Sequence, residues 1–171
     1  MTPPPPAADR EHLTGSGTYF EDFTVGDVLQ HARGRTIPDS EHVVATCQAL
    51  NTAQIHFNQD LTDHDPAMQA QTGGERLVVG TYVLSVCMGL ASQDTTENAA
   101  RILCIREAKH MAGVYPGQTL YAETEVLEKR AAPDDPGCGI VVFKLRGLKA
   151  EDRSKVAVEA VYEALVRRRP A

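Results

Sequence analysis

GTYVLSVCMGLASQ, residues 80–93, is the most apolar stretch of the 171-residue chain. Its apolar side chains recur every three or four residues, at Tyr82, Val83, Val86, Cys87, Leu90 and Ala91. This spacing predicts a helix, and the apolar character of the whole run predicts that the helix is buried. A buried strand is the alternative, but the length of the run and the polar residues 92–96 that follow it favour a helix.

After this helix the pattern changes to the period of two that is typical of strands. Four segments show it, beginning at residues 102, 118, 139 and 155: ILCIREAKH, QTLYAETEVLEKR, GIVVFKLRGLK and KVAVEAVYEALVRR. Turn-forming residues separate them, so we expect an antiparallel meander. Before the helix, VLQHARGRTI at residues 28–37 predicts one further strand.

Residues 40–50 predict a short helix, with Val43, Val44, Cys47 and Leu50 on one face. The polar residues 51–76 show no sustained period and predict a long loop. Together these elements predict an α+β fold in which an antiparallel sheet wraps around a central helix. One sheet edge is left for pairing with a second copy, so we expect a homodimer or a higher homo-oligomer.

Composition predicts one domain over residues 18–171, preceded by a flexible leader rich in proline and alanine at residues 1–17. The formal net charge of -6 argues against nucleic-acid binding. The chain shows neither a signal peptide nor an apolar run long enough for a membrane span, which favours a cytoplasmic protein. Its four cysteines are scattered, so neither a metal site nor a disulfide framework is expected.

The polar stretch NTAQIHFN begins at Asn51. It is followed by RLVVGTYVLSVCMGLAS at residues 76–92 and REAKHMAGVYPGQTLYAETEVLE at residues 106–128. This order of motifs, over about residues 19–168, resembles the MaoC-like hydratases, which have a hot-dog fold, and in particular their mesaconyl-CoA hydratase (β-methylmalyl-CoA dehydratase) branch. The resemblance implies that His56 is the catalytic histidine and that Gly80 starts the central helix. Asn51 falls where the wider family has a catalytic aspartate.

The chemistry of hydration assigns roles to the same residues. Adding water to an enoyl thioester needs a base for the water, a proton donor for the α carbon and donors for the charge on the thioester oxygen. His56 can exchange protons near neutral pH. Asn51 cannot take a proton, but its amide can hold the water. The backbone N–H of Gly80, in the first turn of the central helix, can stabilise the thioester oxygen.

Three further residues are candidates for binding the substrate. A dicarboxylic acyl group such as mesaconyl carries a free carboxylate, and a guanidinium is its usual partner. Arg76 and Arg106 are the candidates for this contact, although either can instead contact the CoA phosphates or lie on the surface. Gln54 is a third candidate, equally open to a structural role. No cofactor or metal is required, because acid–base and oxyanion chemistry suffice.

The leading hypothesis is a hydro-lyase acting on a short acyl-CoA, most specifically mesaconyl-CoA and β-methylmalyl-CoA. A thioesterase on the same fold is the first alternative, in which a carboxylate such as Glu75 directs water to the thioester carbonyl. The second alternative is a catalytically silent hot-dog subunit that binds acyl groups, because Asn51 stands in place of the aspartate. The sequence leaves the acyl chain and its carrier open.

Overall fold

The computed structural model describes residues 18–170, and the leader predicted for residues 1–17 lies outside them. The four α-helices of the described residues are α1 (Asp39–Gln48), α2 (Gln59–His64), α3 (Pro66–Thr72) and α4 (Gly80–Thr95). The strands are β1 (Val28–Gln30), β2 (Arg35–Thr36), β3 (Ala99–His110), β4 (Thr119–Ala131), β5 (Cys138–Lys149) and β6 (Asp152–Arg167). Two short 3₁₀ turns span Phe20–Asp22 and Gln54–His56.

The strands form one antiparallel sheet in the order β1-β4-β5-β6-β3, with β2 also paired to β4. The predicted meander is therefore correct for β4, β5 and β6 and wrong for β3, which pairs with β6 rather than with β4. The connection from β3 to β4 crosses from one side of the sheet to the other. This crossing passes the residues just before α4, where Val78 N–H donates to Val114 O at 2.8 Å.

The single strand predicted over residues 28–37 is wrong, because it is divided into β1 and β2. His31 ends the first piece: its backbone still bonds Ala122 O at 3.1 Å, but its side chain turns into the core. Gly34 then passes close to the Tyr121 ring, where an added Cβ would lie 2.6 Å from Cζ. Because of these contacts, the segment between β1 and β2 does not continue the hydrogen bonding of the sheet.

The predicted buried helix is confirmed as α4, the central element of the core. Its most buried residues are spaced by four, at Val83, Cys87, Ala91 and Thr95, and this face packs against β4, β5 and β6. Close approach is possible because Gly147 has no side chain: an added Cβ would lie 2.4 Å from Cys87 Sγ. The sheet therefore wraps around the helix, as the sequence pattern predicts.

Hydrogen bonds fix the C-terminal end of α4 to the sheet. The buried His31 has its Nδ1 2.6 Å from Asp94 Oδ2 and its Nε2 2.8 Å from Thr124 Oγ1. At the next residue of α4, Thr95 Oγ1 lies 3.3 Å from Tyr162 Oη. Burial raises the pKa of the Tyr162 phenol to about 12. Both ring nitrogens of His31 are satisfied, as buried polar groups usually are.

The segment between α1 and α4 is more structured than predicted. Residues 51–76, predicted as a loop, contain α2 and α3, whose first turns are capped by the side chains of Asn58 and Asp65. In α1 the buried residues are His42 and Thr46, whereas the predicted face points outward, with Val44 and Leu50 exposed. The helix therefore buries polar side chains that bond within the chain.

Strand β3 forms one edge of the sheet. It pairs with β6 on one side and, among the described residues, has no strand on the other. Residues 100–110 are all exposed, including the apolar Ile102, Leu103 and Ile105. No helix within residues 18–170 is both long and apolar enough to span a membrane.

Candidate active site

The first turn of α4 presents free backbone donors. Gly80 and Thr81 begin the helix, and their N–H groups have no acceptor among the described residues. The N-cap residue, Val79, supplies no side-chain bond, and no acidic residue lies in the first turn. The helix dipole adds partial positive charge at this end. The position suits an oxygen that gains negative charge during a reaction.

His56 is bonded to the segment that leads into this helix and is oriented by the backbone. The buried imidazole has its Nδ1 2.7 Å from Leu77 O. Because a carbonyl only accepts, Nδ1 carries the proton and Nε2 keeps a free lone pair. Leu77 N–H in turn donates to Ile55 O at 3.0 Å. The 3₁₀ turn that ends at His56, called the histidine turn, is thus hydrogen-bonded to the residue three positions before Gly80. One ring nitrogen of His56 remains available as a base.

Asn51 is positioned by an unusual helix end. After α1, Leu50 adopts a left-handed φ of 53°, its N–H bonds Cys47 O and the Asn51 N–H bonds Thr46 O. These two bonds form a Schellman motif, which normally places glycine at the left-handed position. The half-buried Asn51 accepts a bond from Ala53 N–H through Oδ1 at 2.9 Å. Its Nδ2 has no acceptor among the described residues and can hold a water.

Two of the predicted substrate-binding residues, Gln54 and Arg76, are hydrogen-bonded to other side chains of the protein. Gln54 is exposed and accepts a 2.5 Å bond from Asn58 Nδ2 through its Oε1. Arg76 grips both oxygens of Asp39, at 2.6 and 2.5 Å, beside α4. Arg76 and the exposed Glu75 line a separate cavity of about 190 Å³ that does not include Gly80.

Arg106 does not lie with the other predicted site residues. Its Nε donates to Glu163 Oε1 at 2.5 Å. The neighbouring Tyr162 points to α4, and successive side chains of a strand point to opposite faces. Glu163, and Arg106 with it, therefore lies on the face of the sheet away from the helix. The substrate-binding role predicted for Arg106 receives no support from this position.

His42, which the sequence did not indicate as a site residue, is fully buried on α1. Its Nε2 is 3.2 Å from Asp39 Oδ1, and its Nδ1 has no hydrogen-bond partner among the described residues. Burial lowers the pKa of His42; the Asp39 carboxylate opposes this, while the charges of Arg76 and His56 add to it. Burial thus favours the neutral form of His42, which interacts electrostatically with the candidate base. No local motif marked it, because its neighbours in sequence read as an ordinary helix.

His110, the last residue of β3, is a second residue that the sequence did not indicate. Its ring packs on the first residue of α4: a Cβ added to Gly80 would lie 2.6 Å from His110 Cε1 and 2.7 Å from Nε2. Both residues line a cavity of about 300 Å³. The strand pattern that ends before Met111 predicts β3 itself. It does not predict that the end of β3 lies against the helix, because that contact depends on the crossing from β3 to β4.

The described residues contain no group of three or more histidine, cysteine, aspartate or glutamate side chains arranged to hold a metal ion. The four cysteines are free, and Cys47 and Cys104 are exposed. What the site offers is one imidazole nitrogen, one amide and a helix N-terminus. Together these groups can move a proton and stabilise an oxyanion.

A sheet wrapped around one helix, with a histidine turn bonded to the segment that leads into that helix, defines a MaoC-like hot-dog protein. A solved structure described as a putative MaoC domain protein dehydratase from Chloroflexus aurantiacus superposes with a TM-score of 0.79 and 28% identity, over 99% of this chain and 51% of that one. A Mycobacterium tuberculosis protein described as having a double hotdog fold gives 0.76 and 23% over 90% and 45% of the two chains. The predicted fold class is confirmed.

The sequence profile of the mesaconyl-CoA hydratase family matches residues 6–171, so the chain belongs to that family. The β-methylmalyl-CoA dehydratase of Chloroflexus aurantiacus is 32% identical over 81% of this chain and 37% of its own length. The mesaconyl-CoA hydratase of Cereibacter sphaeroides is 34% identical over 80% of this chain and 37% of its own. The chain thus spans little more than a third of these curated relatives. The resemblance seen in the sequence is confirmed.

Proposed function

We propose that this chain is a hydro-lyase that adds water to a short enoyl-CoA and removes it from the 3-hydroxyacyl-CoA. One observation carries the proposal: His56 is held by the carbonyl of Leu77, three residues before Gly80, and keeps Nε2 free, while the N–H groups of Gly80 and Thr81 have no acceptor among the described residues. The names of the two relatives support mesaconyl-CoA and β-methylmalyl-CoA as the specific pair.

The proposed reaction uses only groups of this site. His56 Nε2 takes a proton from water as the water oxygen attacks the β carbon, and the electrons of the double bond move to the thioester oxygen. The Gly80 N–H stabilises the resulting enolate. The proton then passes from Nε2 to the α carbon, which restores the imidazole. The free Nδ2 of Asn51 donates to the water and orients it, without taking part in proton transfer.

The substrate and the working assembly belong to the same proposal. The solved Chloroflexus protein is about twice as long as its match to this chain, which supports two hot-dog units working together. We infer that a second copy pairs along β3, because Ile102 and Ile105 are 44% and 46% exposed at an edge with no strand beside it among the described residues. Light scattering should give a dimer or a larger assembly, and Ile105→Lys should dissociate it. The cytoplasmic location stays a prediction.

The test incubates purified protein with mesaconyl-CoA and, separately, with crotonyl-CoA, and follows product mass and free thiol. The proposal predicts a gain of one water on mesaconyl-CoA without release of thiol. His56→Gln, which retains a donor for Leu77 O but has no basic nitrogen, should abolish the gain. Thiol release would instead indicate the thioesterase. Binding without any conversion would indicate the silent acyl-binding subunit.

A further inference from the structure

The cavity at the N-terminal end of α4 has an uneven chemical lining. Its volume is about 300 Å³, within the range of small-molecule sites. Most of its walls are apolar, from Leu77, Val78, Val83, Met111, Val114 and Ala157. The one side chain in this lining that can carry a charge is His110. The cavity therefore offers a small branched acyl chain an apolar surface with a single polar side chain.

His110 is held against the helix and is free to bind. Its ring packs on Gly80, yet neither ring nitrogen has a hydrogen-bond partner among the described residues. The neighbouring Lys109 is engaged elsewhere, since its Nζ lies 2.7 Å from Glu107 Oε1. An imidazole can donate from both nitrogens when protonated, and then it carries a positive charge. Such a group suits a carboxylate.

The arginines expected to bind a substrate carboxylate are already paired with carboxylates of the protein. Arg76 holds both oxygens of Asp39, and Arg106 holds Glu163 on the other face of the sheet. Moving either arginine to the substrate would break its bonds to a carboxylate of the protein, which costs free energy. His110 has no such cost, because it has no partner among the described residues to leave.

The reach also fits a dicarboxylic thioester. In such a four-carbon backbone the carboxylate and the thioester carbonyl are separated by only two carbons. If the thioester oxygen accepts from Gly80 N–H, the far carboxylate stays close to whatever packs on Gly80, and His110 occupies that place.

We propose that His110 is a specificity-determining residue that binds the free carboxylate of the acyl group and so selects dicarboxylic over monocarboxylic thioesters. The inference rests on the proposed function and adds to it the residue that distinguishes between the two classes of substrate. The hydration step itself remains the work of His56.

The test measures binding rather than turnover, with two saturated thioesters that cannot be hydrated. These are α-methylsuccinyl-CoA and α-methylbutyryl-CoA, which differ only in a carboxylate and a methyl group. The variant is His110→Gln, and the matched control is His64→Gln, an exposed histidine on α2 outside the cavity. Dissociation constants are measured by calorimetry for both thioesters with all three proteins.

Wild type and His64→Gln should prefer α-methylsuccinyl-CoA. His110→Gln should weaken that ligand by about tenfold, a usual scale for loss of a charge-assisted hydrogen bond, and change α-methylbutyryl-CoA by no more than about twofold. An equal loss for both ligands, or an unchanged preference, would overturn the role of His110 while leaving hydration by His56 intact. If the wild type binds neither thioester, the proposed function fails together with this inference.

Discussion

The two ends of α4 each carry histidine chemistry, and the contrast between them separates structure from function. At the C-terminal end, buried His31 has both ring nitrogens bonded, to Asp94 and Thr124. At the N-terminal end, His56 has one nitrogen bonded to Leu77 O and one free, and His110 has neither bonded within the described residues. A fully bonded histidine fixes a helix to its sheet, whereas one with a free nitrogen can exchange a proton or bind a ligand.

The helix ends differ in their backbone as well. Within residues 18–170, the N-terminal N–H groups of Gly80 and Thr81 are unpaired, and no side chain caps them. At the other end, Thr96 N–H bonds Ser92 O at 2.8 Å and Thr95 bonds Ala91 O and Tyr162. An uncapped, glycine-led helix start costs stability but leaves donors for a ligand. We therefore expect stability to depend mainly on the C-terminal end of α4 and reactivity on its N-terminal end.

The largest expected effect is at the reactive end. Because His56→Gln removes the free basic nitrogen, kcat for hydration should fall by at least about a hundredfold, the usual scale for general acid–base catalysis. The melting temperature should hardly change, since the glutamine amide can still donate to Leu77 O. Steady-state kinetics and calorimetry check both. Retained activity in this variant would remove His56 from the mechanism.

The corresponding change at the other end should reverse the pattern. His31→Leu leaves Asp94 and Thr124 without their shared partner, so the free energy of unfolding should drop by roughly 2–3 kcal/mol. Below the unfolding transition, kcat should stay near that of wild type. Urea titration and kinetics on the folded protein measure the two quantities. A variant that is as stable as wild type would show that His31 does not fix this end of α4.

Two glycines of α4 give a finer test. Gly80→Ala puts a Cβ 2.6 Å from the His110 ring and disturbs the helix start, so activity should fall by roughly tenfold, less than the hundredfold or more that loss of an oxyanion donor costs, because alanine keeps its backbone N–H. Gly89→Ala, on the same helix with no atom within 4 Å of the new Cβ, should leave activity unchanged and stabilise by about 0.5–1 kcal/mol. Equal activities in the two variants would argue against a role for the helix start.

The smallest effect concerns the pH dependence of stability through His42. Its folded pKa is lowered by burial, so the unfolded chain, with a histidine pKa of about 6.5, binds the proton first as pH falls. Stability should therefore decrease from that pH down to the lowered folded pKa and level off below it. His42→Gln should flatten this slope in unfolding titrations at a series of pH values. An identical slope in both proteins would mean that His42 does not contribute.

The sequence predicted the fold well where a pattern repeats. The spacing of four in Val83, Cys87 and Ala91 marked α4, and the period of two marked β3 to β6. It failed where a single contact decides the course of the chain. His31 ends β1 because its side chain reaches Asp94 and Thr124, which lie 63 and 93 residues further along the chain.

For the proposed site, the sequence likewise indicated only residues that belong to a continuous motif or a repeating pattern. NTAQIHFN marked Asn51 and His56 because they lie in one continuous motif, and the helix start marked Gly80. The sequence did not predict His110 or His42. Whether His110 meets Gly80 depends on β3 pairing with β6, and the environment of His42 depends on how α1 packs. Neither relation leaves a local pattern in the sequence.

The most direct test of the central claim uses water labelled in its oxygen. Mesaconyl-CoA is incubated in this water with wild type and with His56→Gln, and the masses of all products are measured by mass spectrometry. Hydration at the N-terminal end of α4 predicts one labelled oxygen in an intact CoA thioester with wild type, and no label with the variant. Label in a free acid, or equal labelling of the thioester by both proteins, would contradict the account.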